Sequence, residues 1–400
     1  MKRTSAAAAV LFALFFIFQC GRGLRQEAIR WTPENSLNQA KPPAVGDDES
    51  ADSLKKAIES SLAGLEKIPG DRTFRLGREI YPLSRVKESL ADMRNRLEEM
   101  GLGDDFFRYL GEHYLFFQSS AKEVRFTGYY EPLLRGSMQP SETYRYPIYR
   151  KPDDLLTIDL SQYYFFQKFP DLPAQIRGRL TGDNRVIPYF SREEIDFDGK
   201  LTRKNLEVLW IDDLIAIFFL QIQGSGMVEL ENGRMLRVGY SDQNGQPYRS
   251  IGRMLIDSGN LKKDEASMQG IRDYLKCHPA EWRRMLSSNP SYIFFRILET
   301  GPLGSFGVPL TPGRSIATDN RIFPPGLPVL IETEKPVFNE RKEIIRWEKF
   351  RRLVLNQDTG GAIRGPARVD LFTGSGDGAE RTAGHMMQKG TFFFLIQKNP

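Results

Sequence analysis

The chain has 400 residues, 40% of them hydrophobic and 27% charged, a globular balance well clear of intrinsic disorder. Two cysteines exclude a disulfide scaffold, and three scattered histidines leave little material for a zinc site. The net charge of +5, which falls to +3 without Lys2 and Arg3, is too weak and too evenly spread to argue for nucleic acid.

Lys2 and Arg3 precede an apolar run from Ala6 to Phe18 that ends at Gln19-Cys20-Gly21. A run of that length suits the core of an export signal and is short for a spanning helix. A cysteine directly after such a run is where bacterial lipoproteins are acylated. Residues 1–20 are therefore expected to be a lipoprotein-type signal and Cys20 the lipidation site. Ile17-Phe18-Gln19 departs from the usual Leu-small-small pattern, so a plain secretory signal stands as the alternative. Residues 21–50 are polar, with Pro33, Pro42, Pro43 and Asp47-Asp48-Glu49, and read as a tether.

Leu54, Ile58, Leu62 and Leu65 recur at helical spacing, as do Val86, Leu90, Met93 and Leu97 over about 83–100. A third apolar stretch covers Phe106–Phe117. From Val124 the texture changes to short β-prone runs broken by Gly and Pro, such as Val124–Tyr130, Tyr146–Tyr149 and Val186–Tyr189. The apolar stretch Leu206–Ile222 predicts a buried helix, with a strand pair as the alternative. Asn232-Gly233 marks a hairpin turn. Ser250–Asp257 and Lys263–Cys277 read as helices, and short strands return from Tyr292 to the end. The pattern is mainly β with N-terminal helices.

Chemistry-bearing residues gather in four clusters. The richest holds Asp358-Thr359-Gly360-Gly361, then Arg368-Val369-Asp370-Leu371-Phe372, then Asp377. Asp370 alternates with apolar neighbours, and a carboxyl so placed at a cleft is a candidate acid with a raised pKa. Asp also caps turns, which is the structural alternative. Phe126-Thr127-Gly128-Tyr129-Tyr130-Glu131-Pro132 offers rings and hydroxyls suited to sugars, and equally fits a core strand. Gln221-Ile222-Gln223-Gly224-Ser225-Gly226 and Asp319-Asn320-Arg321-Ile322-Phe323-Pro324-Pro325-Gly326 complete the set. A phosphate loop and a Gly-x-Ser-x-Gly nucleophile elbow with its triad are both absent from the sequence.

In this order the clusters resemble the membrane-bound lytic murein transglycosylase A (MltA) family over about residues 120–397. Phe126–Pro132, Gln221–Gly226, Asp319–Gly326 and the three-aspartate (3D) module from Asp358 to Gly384 carry the likeness. The resemblance implies an α+β chain with a double-psi β-barrel domain built from residues 51–133 and 291–398. A smaller β-rich domain is inserted at 134–290, with a glycan groove between the two. It implies non-hydrolytic cleavage of the β-1,4 bond between N-acetylmuramic acid and N-acetylglucosamine in peptidoglycan, leaving 1,6-anhydro ends. Asp370 matches the catalytic aspartate. Asp358, Asp377, Asp319, Thr127, Tyr129, Gln223 and Ser225 are the supporting or substrate-binding candidates, and no metal or cofactor is implied. Glycan strands, the membrane through an N-terminal lipid, and cell-wall synthesis or turnover proteins are the implied partners. The periplasmic face of the outer membrane is the implied location. A two-carboxylate glycoside hydrolase and a non-catalytic glycan-binding lipoprotein remain the rival readings.

Overall fold

A computed structural model describes residues 31–169, 172–262, 265–361 and 363–398. The expected signal segment and Cys20 lie outside the described residues. The chain begins with β1 (Leu37–Ala40), α1 (Ala51–Leu65), the hairpin β2 (Thr73–Leu76) and β3 (Glu79–Pro82), and α2 (Leu83–Met100). There follow α3 (Asp104–His113), β4 (Tyr114–Ser119) and β5 (Val124–Glu131). Ser50 caps α1 through the Ser53 amide, and Leu54, Ala57, Ile58 and Leu65 form its buried face. The apolar stretch at 106–117 divides: Phe106 and Leu110 seat α3, while Tyr114, Phe116 and Phe117 alternate inward from β4.

Residues 31–50 are not a tether. β1 pairs antiparallel with β4, and Asp47 is fully buried against Arg314 at 2.5 and 2.9 Å. Asp48 forks onto Arg352 at 2.7 Å through both oxygens. The acidic run that reads as solvated in sequence finds buried cations 267 and 304 residues away, Arg314 in a turn and Arg352 on a strand.

A second unit follows β5. It holds β6 (Leu133–Ser137), β7 (Tyr146–Tyr149), β8 (Leu156–Asp159), β9 (Gln175–Leu180), β10 (Val186–Ile187), α4 (Arg192–Asp196) and β11 (Glu207–Ile211). Next come α5 (Leu214–Gln223), β12 (Ser225–Leu230), β13 (Met235–Gln243), α6 (Ile251–Asp257), α7 (Met268–Cys277), α8 (Trp282–Ser287) and β14 (Ile293–Leu298). Its main sheet has the order β14-β13-β12-β6-β11-β7, and β8 to β10 form a separate sheet. The stretch expected as one buried helix is strand β11 followed by helix α5. Asp212-Asp213 interrupts the apolar run, and the Asp213 side chain caps α5 by accepting from the Ile215 amide. Helix α5 is apolar all round because it is clamped between two cores. Ile217 and Leu220 pack on the sheet, while Leu214, Ile215, Phe218 and Phe219 pack on α6 to α8.

The chain then returns to the first unit with β15 (Ser315–Ala317), β16 (Pro328–Phe338), β17 (Ile344–Asp358), β18 (Arg368–Ser375), α9 (Asp377–His385) and β19 (Met387–Gln397). Strands β5, β18, β15, β17, β16 and β19 pair in that order, and β19 pairs back onto β5, closing a six-stranded barrel. The β5–β18 and β15–β17 pairs are parallel. Closure leaves no open edge among these strands. Phe126, Ile316, Val329, Ile331, Val354, Val369, Phe392 and Phe394 share the inward face and fill the interior. Each such side chain contributes roughly 1.5–3 kcal/mol by leaving water. The architecture is thus mixed α/β, mostly strands, around a six-stranded barrel.

Candidate active site

Strand β18 lies between β15 and β5, with Asp370 opposite Ala317 on one side and Thr127 on the other. Alternation along β18 sends Val369 and Leu371 into the barrel core and leaves Arg368 and Asp370 on the opposite face. Asp370 is 13% exposed. The Thr127 hydroxyl donates to its Oδ1 at 2.5 Å. The Arg368 guanidinium donates Nε to Oδ1 at 2.9 Å and Nη2 to Oδ2 at 3.1 Å. Two residues on from Thr127, Tyr129 donates its hydroxyl to Asp358 Oδ2 at 2.9 Å. Asp358 Oδ1 accepts the amides of Ser305 and Thr359, both at 2.8 Å.

The burial that alternation suggested for Asp370 is found at Asp358. Desolvation pushes the Asp358 carboxyl above the usual carboxylate range, although the amides of Ser305 and Thr359 and the Tyr129 hydroxyl pull the other way. The Tyr129 hydroxyl is pushed well above the usual tyrosine range, first by burial and then by the charges of Asp358 and Asp370. One tyrosine thus feels both aspartates.

Asp319 is fully buried and fastens a loop. Its carboxylate accepts the Arg321 guanidinium at 2.8 and 2.6 Å and the Gly365 amide at 2.7 Å. Burial would raise it, but the Arg321 guanidinium and the Gly365 and Arg321 amides outweigh that and hold it below the usual range. Asp377 is not brought to the site. It is 82% exposed in the first turn of α9, facing Lys342 at 3.6 Å and Arg381 at 4.0 Å. Gly374 and Gly376, at φ +102° and +83°, turn the chain just before it. A carboxylate there favours the positive end of the helix.

From the second unit, Gln223 Oε1 accepts the Tyr130 amide at 3.0 Å and its Nε2 approaches Met268 Sδ at 3.8 Å. Gln223 therefore pins α5 to β5. Gly224, left-handed at φ +83°, ends α5, and Ser225 is partly buried at the start of β12. Arg272 of α7 reaches Glu380 of α9 at 2.6 Å, joining the two units on one side. Tyr248, 39% exposed, faces the Arg368–Asp370 pair from the second unit. Burial raises its hydroxyl, the Arg368 charge lowers it and the Asp370 charge raises it.

Tyr248 and Ser305 lie outside the motifs, and Arg368 stands in one without a role assigned to it. Arg368 carried a signal, since residues two apart on a strand share a face. Tyr248 and Ser305 lie in loops and carried none. The arrangement leaves one carboxyl partly exposed, Asp370, while the second, Asp358, is buried under two amides and a hydroxyl. That suits proton transfer by a single group.

The chain matches two family models. The MltA specific insert domain matches residues 125–296 and the 3D domain matches residues 314–396. Membrane-bound lytic murein transglycosylase A of Escherichia coli K12 is 34% identical over 279 residues, 68% of this chain and 65% of that protein. The chain thus aligns with slightly under two thirds of that curated relative's length. A membrane-bound lytic murein transglycosylase structure from Agrobacterium tumefaciens is 29% identical, with a TM-score of 0.73 over 90% of this chain and 98% of that one. The E. coli MltA structure with bound chitohexaose is 25% identical, with a TM-score of 0.69 over 94% and 98%.

Proposed function

Because the chain belongs to the MltA family, carrying both its insert domain and its 3D domain, we propose that it is a peptidoglycan lytic transglycosylase. It cleaves the β-1,4 bond between N-acetylmuramic acid and N-acetylglucosamine without water and leaves 1,6-anhydro ends. The observation that carries this is the single groove carboxyl, Asp370, held by Thr127 and Arg368 beside a fully occupied Asp358. Protonated Asp370 donates to the glycosidic oxygen, and the ring becomes oxocarbenium-like. The same carboxylate then takes the proton of the sugar's own C6 hydroxyl as that oxygen closes on C1. An intramolecular nucleophile has a large effective concentration, which favours ring closure over hydrolysis.

The closed six-stranded cycle with two parallel pairs supports reading the barrel as double-psi. The excursion between β5 and β15 supports reading residues 134–290 as the inserted domain, with the groove between the two units. The name of the E. coli relative supports membrane association, here through a lipid on Cys20 at the periplasmic face of the outer membrane. Cell-wall synthesis or turnover proteins belong to the same reading.

Product analysis on purified murein tests the activity. The wild type is expected to release 1,6-anhydromuropeptides. Asp370→Asn keeps the shape but cannot shuttle a proton, so turnover should fall by at least about 10²–10⁴-fold. Reducing ends in place of anhydro ends would make the protein a hydrolase. Intact glycan would make it a binding protein.

A further inference from the structure

A general acid must hold a proton when the glycan arrives, yet Asp370 sits in a two-pronged ion pair with Arg368. We propose, resting on the activity above, that Arg368 senses the substrate: its guanidinium occupies the Asp370 carboxylate in the empty groove and is drawn off by a carboxylate borne on the O3 substituent of a muramyl residue.

Arg368 is the more accessible partner, 35% exposed against 13% for Asp370, so an incoming group meets the guanidinium first. A bidentate Arg–carboxylate pair is strong and geometrically selective, and another carboxylate is the group best shaped to compete for it. The hydroxyls and amides of a neutral glycan compete poorly. Thr127 holds Asp370 Oδ1 independently, so the carboxyl keeps its orientation when Arg368 swings away.

The surroundings also call for an anion. Arg125 stands directly beside Arg368 in the β5–β18 register, and like charges so placed repel. Among the described residues Arg125 has no ion pair with a carboxylate. Once released, Asp370 takes one proton from solvent, gives it to the leaving oxygen and recovers one from the C6 hydroxyl, so the cycle balances.

A muramyl residue supplies such a carboxylate from its lactyl group or, where a peptide is attached, from the stem. The experiment uses three substrates: murein strands with stems, strands stripped by an amidase so that the lactyl carboxylate is free, and neutral chitohexaose. The wild type should bind chitohexaose but cleave it at least ten-fold more slowly than the better anionic strand, and which anionic strand is better identifies the source. Arg368→Gln should raise KM for anionic strands and close the gap, and Arg368→Lys should restore part of it. Equal wild-type rates on all three substrates, or a gap kept in Arg368→Gln, overturn the role of Arg368. If Arg368→Gln fails to fold, the wild type and Arg368→Lys on the same substrates decide it. Absence of anhydro ends from every substrate would instead sink the proposed activity, and this inference with it.

Discussion

Asp358 and Asp370 lie in one short segment yet meet opposite environments. Asp370 is partly exposed, with a hydroxyl and a guanidinium on it. Asp358 is buried under two amides and the Tyr129 hydroxyl, with its carboxyl pushed toward the neutral form by desolvation. Asparagine can imitate a neutral buried carboxyl here. Its carbonyl can keep the Ser305 and Thr359 amides, and its NH2 can donate to a Tyr129 hydroxyl that has turned round. Asp358→Asn should therefore fold and keep part of its activity. Asp358→Ala strands two amides and a hydroxyl, and a buried group left unpaired costs about 1–3 kcal/mol. It should melt measurably lower and lose most turnover. Thermal melts with turnover assays on both variants check this, and an inactive Asp358→Asn beside an active Asp370→Asn would exchange the two roles. That Asp370 stands on the strand face opposite Val369 and Leu371 was legible in sequence, because it alternates with them. Its surroundings were not, because alternation says only that Val369 and Leu371 face away from it.

At the scale of elements, legibility followed periodicity. Helices α1 and α2 announced themselves through Leu54, Ile58 and Leu65 and through Val86, Leu90 and Leu97, each set on one face. The 206–222 stretch misled because a buried strand and an all-round buried helix have the same unbroken apolar texture, and only the Asp212-Asp213 pair separates them. The 31–50 stretch misled for the opposite reason. Its side chains are polar, but their partners are Arg314 and Arg352, and no local pattern reports contacts of that range. Arg314 also donates to the carbonyls of Ser50 and Leu353, so the strap of residues 31–50, helix α1 and β17 share one buried cation. Removing one member of a buried pair leaves an uncompensated charge, typically worth about 3–5 kcal/mol. Asp47→Ala should accordingly lower the denaturant midpoint strongly while Lys41→Ala, an exposed change in the same stretch, does not. Equal midpoints for the two variants would return residues 31–50 to the status of a tether.

For the molecule as a whole, the packed strap changes how a membrane anchor would act. Trp31 packs against the barrel core, and a Cβ added at Gly365 would lie 3.6 Å from its ring. The chain thus joins the body beside the loop that carries Asp358 to Asp370, fastened there by Asp319. Eleven residue steps separate Cys20 from Trp31. However they are arranged, they reach at most roughly 40 Å at about 3.5 Å per residue. A lipid on Cys20 would hold the groove end of the barrel near the membrane surface, instead of letting the enzyme range on the longer leash that 21–50 suggested. One acyl chain binds a bilayer only marginally, whereas several anchor stably. Cys20→Ser should then move the protein from the membrane fraction to the soluble one. It should leave turnover of soluble glycan strands unchanged, because none of the contacts described at the site involves Cys20, and lower the anhydro ends released from intact cell wall. Fractionation of cells expressing both forms, with anhydro-end counts on each substrate, measures the two effects separately. Unchanged membrane retention would refute anchoring through Cys20. Release without loss of cell-wall cleavage would leave the lipid in place but remove its part in delivering the groove to its substrate.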